Sequence, residues 1–339
     1  MPSTIPTWTE QVPPGEAELL ERLATDLRAV QHRRGGAGRG LHRKSLGGAR
    51  ATLEINEGLP EWARVGIFAG PGRYEALVRF SSGSGGVQAD SVPDVRGMAV
   101  KVLGVPGKKL IPGLEGCTTQ DFLCILTPAL PMARPDQFVR LVLAASGPPL
   151  LLLPRLIGIF GLFGFVPVVK QLKAGQSRPV PSLTEMTWHT PLPIQWGEAA
   201  VKYRFVPVSS VAPTTPAAAE HPERLSLDLR DRLSRGPVVF DLQIQPYLDP
   251  TRTPIEDPTV PWDDSATAPI TVARLTLPSQ DLTSADAQRR HEAIEKLSFD
   301  PWHAPEAFRP LGAFMRARAV AYRESVRERG AGPEPEGMI

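Results

Sequence analysis

Proline is what most limits this chain. It makes up 37 of 339 residues, more than twice the usual ~5%. Proline has no backbone N–H and breaks helix interiors. Within sheets it is confined to edges, strand starts and bulges. An all-helical bundle is therefore excluded, and short extended segments joined by many turns are favoured. The other proportions are those of an ordinary globular protein: 42% hydrophobic and 22% charged. The length allows two domains at ~150 residues each or one large β-rich unit. Either way a sizeable core is available, since a chain of ~300 residues buries about 75% of its unfolded surface.

Periodicity organises the rest. Residues 16–34 carry apolar side chains at 19, 20, 23, 27 and 30, which is helical spacing, and Gly35 and Gly36 end the run. Strand character then recurs at 51–56, 74–81, 97–103, 200–206, 238–245 and 270–277, with β-branched or aromatic residues near Gly or Pro. The spacing is irregular, so no internal repeat is evident. The C-terminal part turns helical at 284–297, with Ser284 placed to cap, and at 311–329 after Pro310. Residues beyond Gly330 read as a loose tail. This order predicts an α+β fold, with an antiparallel sheet or barrel as the body and helices at both chain ends. The division expected is an N-terminal arm and helix at 1–35, a main domain at 36–330 and a tail at 331–339.

A net charge of +2 gives no bulk argument for nucleic acid as a partner. Cys117 and Cys124 cannot staple a chain this large, which favours a reduced, cytoplasmic setting. Residues 1–10 show no signal-peptide pattern. Arg28, Arg33, Arg34, Arg39, Arg43, Lys44 and Arg50 fall in an acid-free stretch that reads as a solvated arm. The segment 141–169 contains one charge, Arg155, among leucines, phenylalanines, prolines and glycines. Three readings stay open for it: a membrane span, a buried helical hairpin, or an exposed apolar surface that meets a membrane or admits an apolar substrate.

The six histidines show neither HExxH nor CxxC-type spacing, and no GxSxG elbow occurs. Hydrolase and zinc-enzyme readings are poor. What remains is scattered: His42 in RGLHRK, Arg79 and Ser81 in LVRFSSG, DVRGMAVKV at 94–102, and Arg318-x-x-x-Tyr322 on a helix. An i, i+4 pair shares one helix face. An arginine beside a tyrosine favours the phenolate, and tyrosine is an axial ligand of haem iron in some proteins.

The order of His42, VRFSS, D-x-RGMAVKV and a terminal RxxxY resembles the haem catalase family. TTQDF (118–122), MTWHTPLPIQWGEAAVKYRFVP (186–207), LQIQPYLDPTRTPIEDPTVPW (242–262) and LSFDPWHAPEAFRPLGAFMRARAVAY (297–322) resemble its short, catalase-related peroxidase branch. The likeness covers about residues 36–329. It implies a minimal catalase core: an antiparallel β-barrel with N- and C-terminal helices and haem b (iron protoporphyrin IX). Tyr322 would then be the proximal iron ligand, steadied by Arg318. Arg39, Arg79 and Arg329 would meet the propionates, and Phe138 would pack near the haem. His42 would be the distal acid–base group, oriented by Ser81. His189 and His303 would be structural. A homo-oligomer is implied, since full catalases are tetramers.

One departure matters. Catalases carry a distal asparagine before a Thr/Ser-Pro segment. Here Cys124, Ile125 and Leu126 precede Thr127-Pro128, and another register puts Cys117 at the place. Neither supplies an amide. The expected activity is a haem-dependent peroxidase that reduces hydrogen peroxide or organic and lipid hydroperoxides with a small organic electron donor, and with weak catalase activity. The alternatives are a fatty-acid hydroperoxide lyase or isomerase, and a non-catalytic haem-binding or lipid-associated protein.

Overall fold

The computed structural model describes residues 5–33, 38–145, 149–176, 179–212 and 220–339. The strands are β1 (Ser45–Ile55), β2 (Gly72–Ser82), β3 (Arg96–Leu103), β4 (Thr119–Ile125), β5 (Trp188–His189), β6 (Ile194–Trp196), β7 (Ala199–Ser209), β8 (Val238–Pro246) and β9 (Ile270–Leu277). The α-helices are α1 (Glu16–Arg33), α2 (Pro135–Ala145), α3 (Leu152–Phe160), α4 (Phe165–Gln176), α5 (Arg224–Arg235), α6 (Ala285–Lys296) and α7 (Ala313–Arg329).

All strand pairings are antiparallel, in the order β5-β4-β3-β2-β1-β9-β8-β7-β6. A further pairing of β5 with β7 closes the sheet into an eight-stranded barrel, with β6 as an added edge. Closure rests on two residues: Trp188 faces Phe205, and His189 faces Arg204 while also meeting Ile125. Closing the ring removes the exposed edges that an open sheet would leave.

Side chains alternate through the wall. Val78 and Phe80 on β2, Met98 and Val100 on β3, Phe122 and Cys124 on β4, and Tyr203 and Phe205 on β7 belong to one buried cluster. Phe122 meets Tyr203 and Phe205 edge-on, at centroid distances of 5.2 and 6.3 Å. An eight-stranded barrel is just wide enough for its own side chains. This interior is full, so any bound group must lie outside the wall.

The outer face of β2–β4 carries Leu77, Arg79, Ser81, Gly97, Ala99, Lys101, Leu123 and Ile125, paired across the ladders. Part of it is covered by the chain after α6, where Leu297 and Phe299 pack on Leu77 and Leu103. Helix α7 is fixed at its N-terminus by acids, which suits the positive end of a helix. Glu10 accepts from the Gly312 amide at 2.8 Å, and Glu256 from the Ala313 amide at 2.8 Å. Glu10 also pairs with Arg309 and Arg316, each at 2.6 Å.

Several expectations are corrected. β4 carries no strand signal in the sequence, because TQDFLCI runs from three polar residues to four apolar ones without alternating. β1 begins at Ser45, since Gly47 and Gly48 hide its first half; a Cβ at Gly47 would meet Leu229 at 2.6 Å. Helix α5 hides its apolar stripe, Leu225, Leu229 and Leu233, among six charged residues. The basic stretch is not a solvated arm where it is described. Lys44 is buried and pairs with Asp90 at 2.7 Å, and Arg28 pairs with Glu324 at 2.9 Å. Helices α3 and α4 form no buried hairpin: each buries a single residue, Leu156 and Val168.

The residues after Gly330 are anchored as well. The Glu334 side chain is 3% exposed and accepts from Lys101 and from the Thr119 hydroxyl, each at 2.6 Å. Lys101 is wholly buried and also donates to Asp121 at 3.0 Å. Asp121 in turn accepts from His303 Nδ1 at 2.9 Å. Burial opposes the charge on Asp121, but Lys101 and His303 outweigh it and hold its carboxyl below the usual range. Stability from this group is thus present above about pH 4 and lost as pH falls through the lowered value. Glu334→Ala should cost about 2 kcal/mol, since Lys101 keeps one of its two carboxylates. The measurement is the shift in the urea unfolding midpoint.

Candidate functional site

His42 sits just before β1 with φ 54°, the only non-glycine residue with positive φ among those described. Such a conformation costs of order 1–3 kcal/mol and persists only where the surroundings impose it. Three bonds do so here. The His42 amide donates to the Gly83 carbonyl at 2.9 Å. Its carbonyl accepts from Arg79 Nη2 at 3.0 Å. Its Nδ1 lies 3.0 Å from Ser81 Oγ.

The ring rests on Gly97. A Cβ there would come within 2.7 Å of the imidazole and 3.1 Å of Ser81 Oγ. The glycine of RGMAVKV is therefore the floor on which His42 lies. Across the ladders Ser81 faces Gly97, and Gly97 faces Ile125. Directly opposed residues project from the same face, so Ile125 lies beside the histidine. Of the residues weighed for the amide's place, Cys124 points into the barrel core and Cys117 precedes β4, while Ile125 shares the face of Ser81 and Gly97. Ala99, Leu123 and Ile125 on this face are only partly covered.

Helix α7 brings the second half. Arg318 Nη2 donates to the Tyr322 hydroxyl oxygen at 2.9 Å, one helical turn apart as i, i+4 spacing requires. Burial disfavours the Arg318 charge, but Tyr322, Tyr203 and Asp300 more than restore it. The Arg318 charge also reaches His42. Burial first, and then Arg79, Arg318 and Arg39, push the imidazole down to about 3. His42 is consequently neutral at physiological pH.

Three arginines gather at the edge of this space. Arg79 makes a two-pronged pair with Glu295, at 2.7 and 3.0 Å. Arg39 and Arg329 donate to the same carbonyl, that of Leu297, at 2.8 and 2.9 Å. Burial, then Arg79 and Arg329, lower the Arg39 guanidinium to about 9, and its Nε is buried without a partner. Three cations share one carboxylate, which leaves two positive charges in surplus. Sequence reasoning missed Glu295, although it stands two residues before the LSFDPWH segment quoted above. Phe138, on α2, packs between the main core and the cluster of Leu23, Val139 and Ala317 under α7. His189 closes the barrel at β5, and His303 lies in the buried Lys101 cluster.

A catalase-related peroxidase from Mycolicibacterium paratuberculosis is 31% identical over 278 residues, covering 77% of this chain and 81% of that protein. The chain belongs to the catalase-related peroxidases. No family model matches it. Among solved structures, a fungal catalase superposes with a TM-score of 0.67 at 19% identity, covering 98% of this chain and 67% of its own. Catalase A from Saccharomyces cerevisiae gives 0.66 at 17% identity, covering 97% and 68%. A bacterial catalase gives 0.65 at 19%, covering 97% and 64%. The chain thus has the catalase fold in about two thirds of the length of those enzymes. The α+β barrel with helices at both ends is as expected from the sequence, and the activity class is that of an oxidoreductase acting as a peroxidase.

Gly97→Ala tests the floor under His42. The added methyl must displace the ring from Ser81. Peroxide turnover should fall by roughly 10²-fold, the scale of a misplaced acid–base group, while the thermal midpoint changes little. Stopped-flow kinetics with circular dichroism as the fold check would measure both.

Proposed function

We propose that this protein is a haem b-dependent peroxidase that reduces organic hydroperoxides in preference to hydrogen peroxide, using a small organic electron donor. The observation that carries the reading is the surplus of two positive charges, with an orphaned Arg39 Nε, beside His42 and the Arg318–Tyr322 pair. A flat group with two carboxylates at one edge fits that cradle. Arg39, Arg79 and Arg329 would bind the carboxylates, with Glu295 keeping Arg79 aimed. Tyr322 would ligate the iron through its oxygen, held by Arg318. Haem, when bound, supplies an iron centre that takes two oxidising equivalents from a peroxide and passes them to a donor.

The remaining steps belong to this chain's own residues. Neutral His42 accepts the proton of the hydroperoxide and returns it to the leaving oxygen, so the products are an alcohol, water and the oxidised donor. Ser81 fixes the ring for both transfers. Ile125 offers no hydrogen bond where an amide would hold a second small, polar peroxide. An apolar wall there favours a substrate carrying a hydrocarbon chain.

Reconstitution with haem b tests the assignment. The purified chain should give a ferric Soret band, and Tyr322→Phe should move it and speed haem loss. Absence of any Soret band would remove the roles of His42 and Tyr322 together. Ile125→Asn should raise hydrogen peroxide disproportionation by about tenfold or more, the worth of one well-placed hydrogen bond. Product formed from a lipid hydroperoxide without any donor would instead move the assignment to hydroperoxide rearrangement. Because His42 is neutral well below its ordinary range, the peroxide step should show no histidine inflection between about pH 5 and 8. A pH series of the single-turnover rate measures this.

A further inference from the structure

Seventeen residues carry most of the large apolar surface that the fold leaves uncovered. Of eleven exposed large hydrophobic residues among those described, six fall between residues 150 and 166: Leu150, Leu151, Leu153, Leu162, Phe163 and Val166. Leu150 is 92% exposed and Phe163 is 87% exposed. Scattered single apolar residues are normal on a surface, but a contiguous patch marks an interaction site.

The shape of the segment limits what it can meet. Helix α3 has 9 residues and α4 has 12, so they are roughly 14 and 18 Å long at 1.5 Å per residue. They bend by 116° where they join, and the joint at 161–164 is exposed throughout. No single helix among the described residues is long and apolar enough to cross a membrane. A bent pair of short apolar helices with an exposed apolar tip matches an element that lies in one bilayer interface.

Charge narrows the partner further. Residues 137–184 contain no aspartate or glutamate, while Arg140, Arg155, Lys170 and Lys173 lie among them. Lys170 and Lys173 are exposed on α4. Cations beside an apolar face complement anionic headgroups. A two-fold contact between copies would instead set the same acid-free flanks against each other.

We propose that the α3–α4 pair docks this protein onto an anionic lipid bilayer, with Leu162 and Phe163 entering the acyl boundary and Lys170 and Lys173 meeting lipid phosphates. The contact is made without haem and stands apart from the peroxidase chemistry. Helix α2 joins this element to the body, packing on α1, α3 and α7.

Co-sedimentation of the purified full chain tests it, with vesicles of phosphatidylcholine alone and with added phosphatidylglycerol. The chain should sediment with the anionic vesicles and roughly tenfold less with the neutral ones, and raised salt should weaken binding. L162D/F163D should abolish sedimentation, and K170E/K173E should remove the preference for anionic lipid. Both pairs are exposed, and an unchanged circular dichroism spectrum and thermal midpoint verify the fold. Wild-type chain that stays in solution at every lipid composition would overturn the proposal. So would a lipid-independent dimer that L162D/F163D converts to monomer, which would assign the face to a second copy.

Discussion

A barrel filled by its own side chains governs the rest of this molecule. Phe80, Trp188, Phe122 and Phe205 leave the interior no room for a ligand. Chemistry must therefore be done on the outer wall, and something must cover that wall. Helix α7 and the chain after α6 provide the cover, and acids from distant segments, Glu10 and Glu256, fix where α7 begins. His42 thus rests against the rigid sheet, and the Arg318–Tyr322 pair sits on a separately anchored helix.

Two local stresses are maintained at that junction. His42 is held in a left-handed conformation by bonds from three neighbours. The arginines beside it are crowded, and a single carboxylate answers three guanidinium groups. Strain and unmatched charge are costly in a folded protein and concentrate at functional sites. Farther along the same face the sheet does the opposite. Lys101 is fully matched by Asp121 and Glu334, and that region is sealed. One wall therefore carries an open half where cations outnumber carboxylates and a closed half where two carboxylates meet one lysine.

The legible parts of the sequence were those whose signal is local. Arg79 and Ser81 are two apart and therefore share a strand face. Arg318 and Tyr322 are four apart and therefore touch on a helix. The strands from 74 to 103 and from 238 to 277 announced themselves through β-branched and aromatic residues. Hidden parts were those whose partners are far away in the chain. β4 shows no alternation because its outer face is covered by residues near 300 and 334. The 45–50 half of β1 contains glycines because Leu229 and Ile294 press on it. Arg39 and Lys44 read as part of a solvated run only until Leu297 and Asp90 are seen to receive them.

The sequence by itself determined the fold class, the family likeness and the two pairs that face each other across the site, because each depends on short spacings along one strand or helix. Tertiary structure alone decided that Ile125 lies beside His42, that Glu295 holds Arg79, that the tail plugs the lower wall and that the 150–166 region is bare. Each of these depends on register between strands or on which surfaces meet. Neither is written into the spacing of residues along the chain.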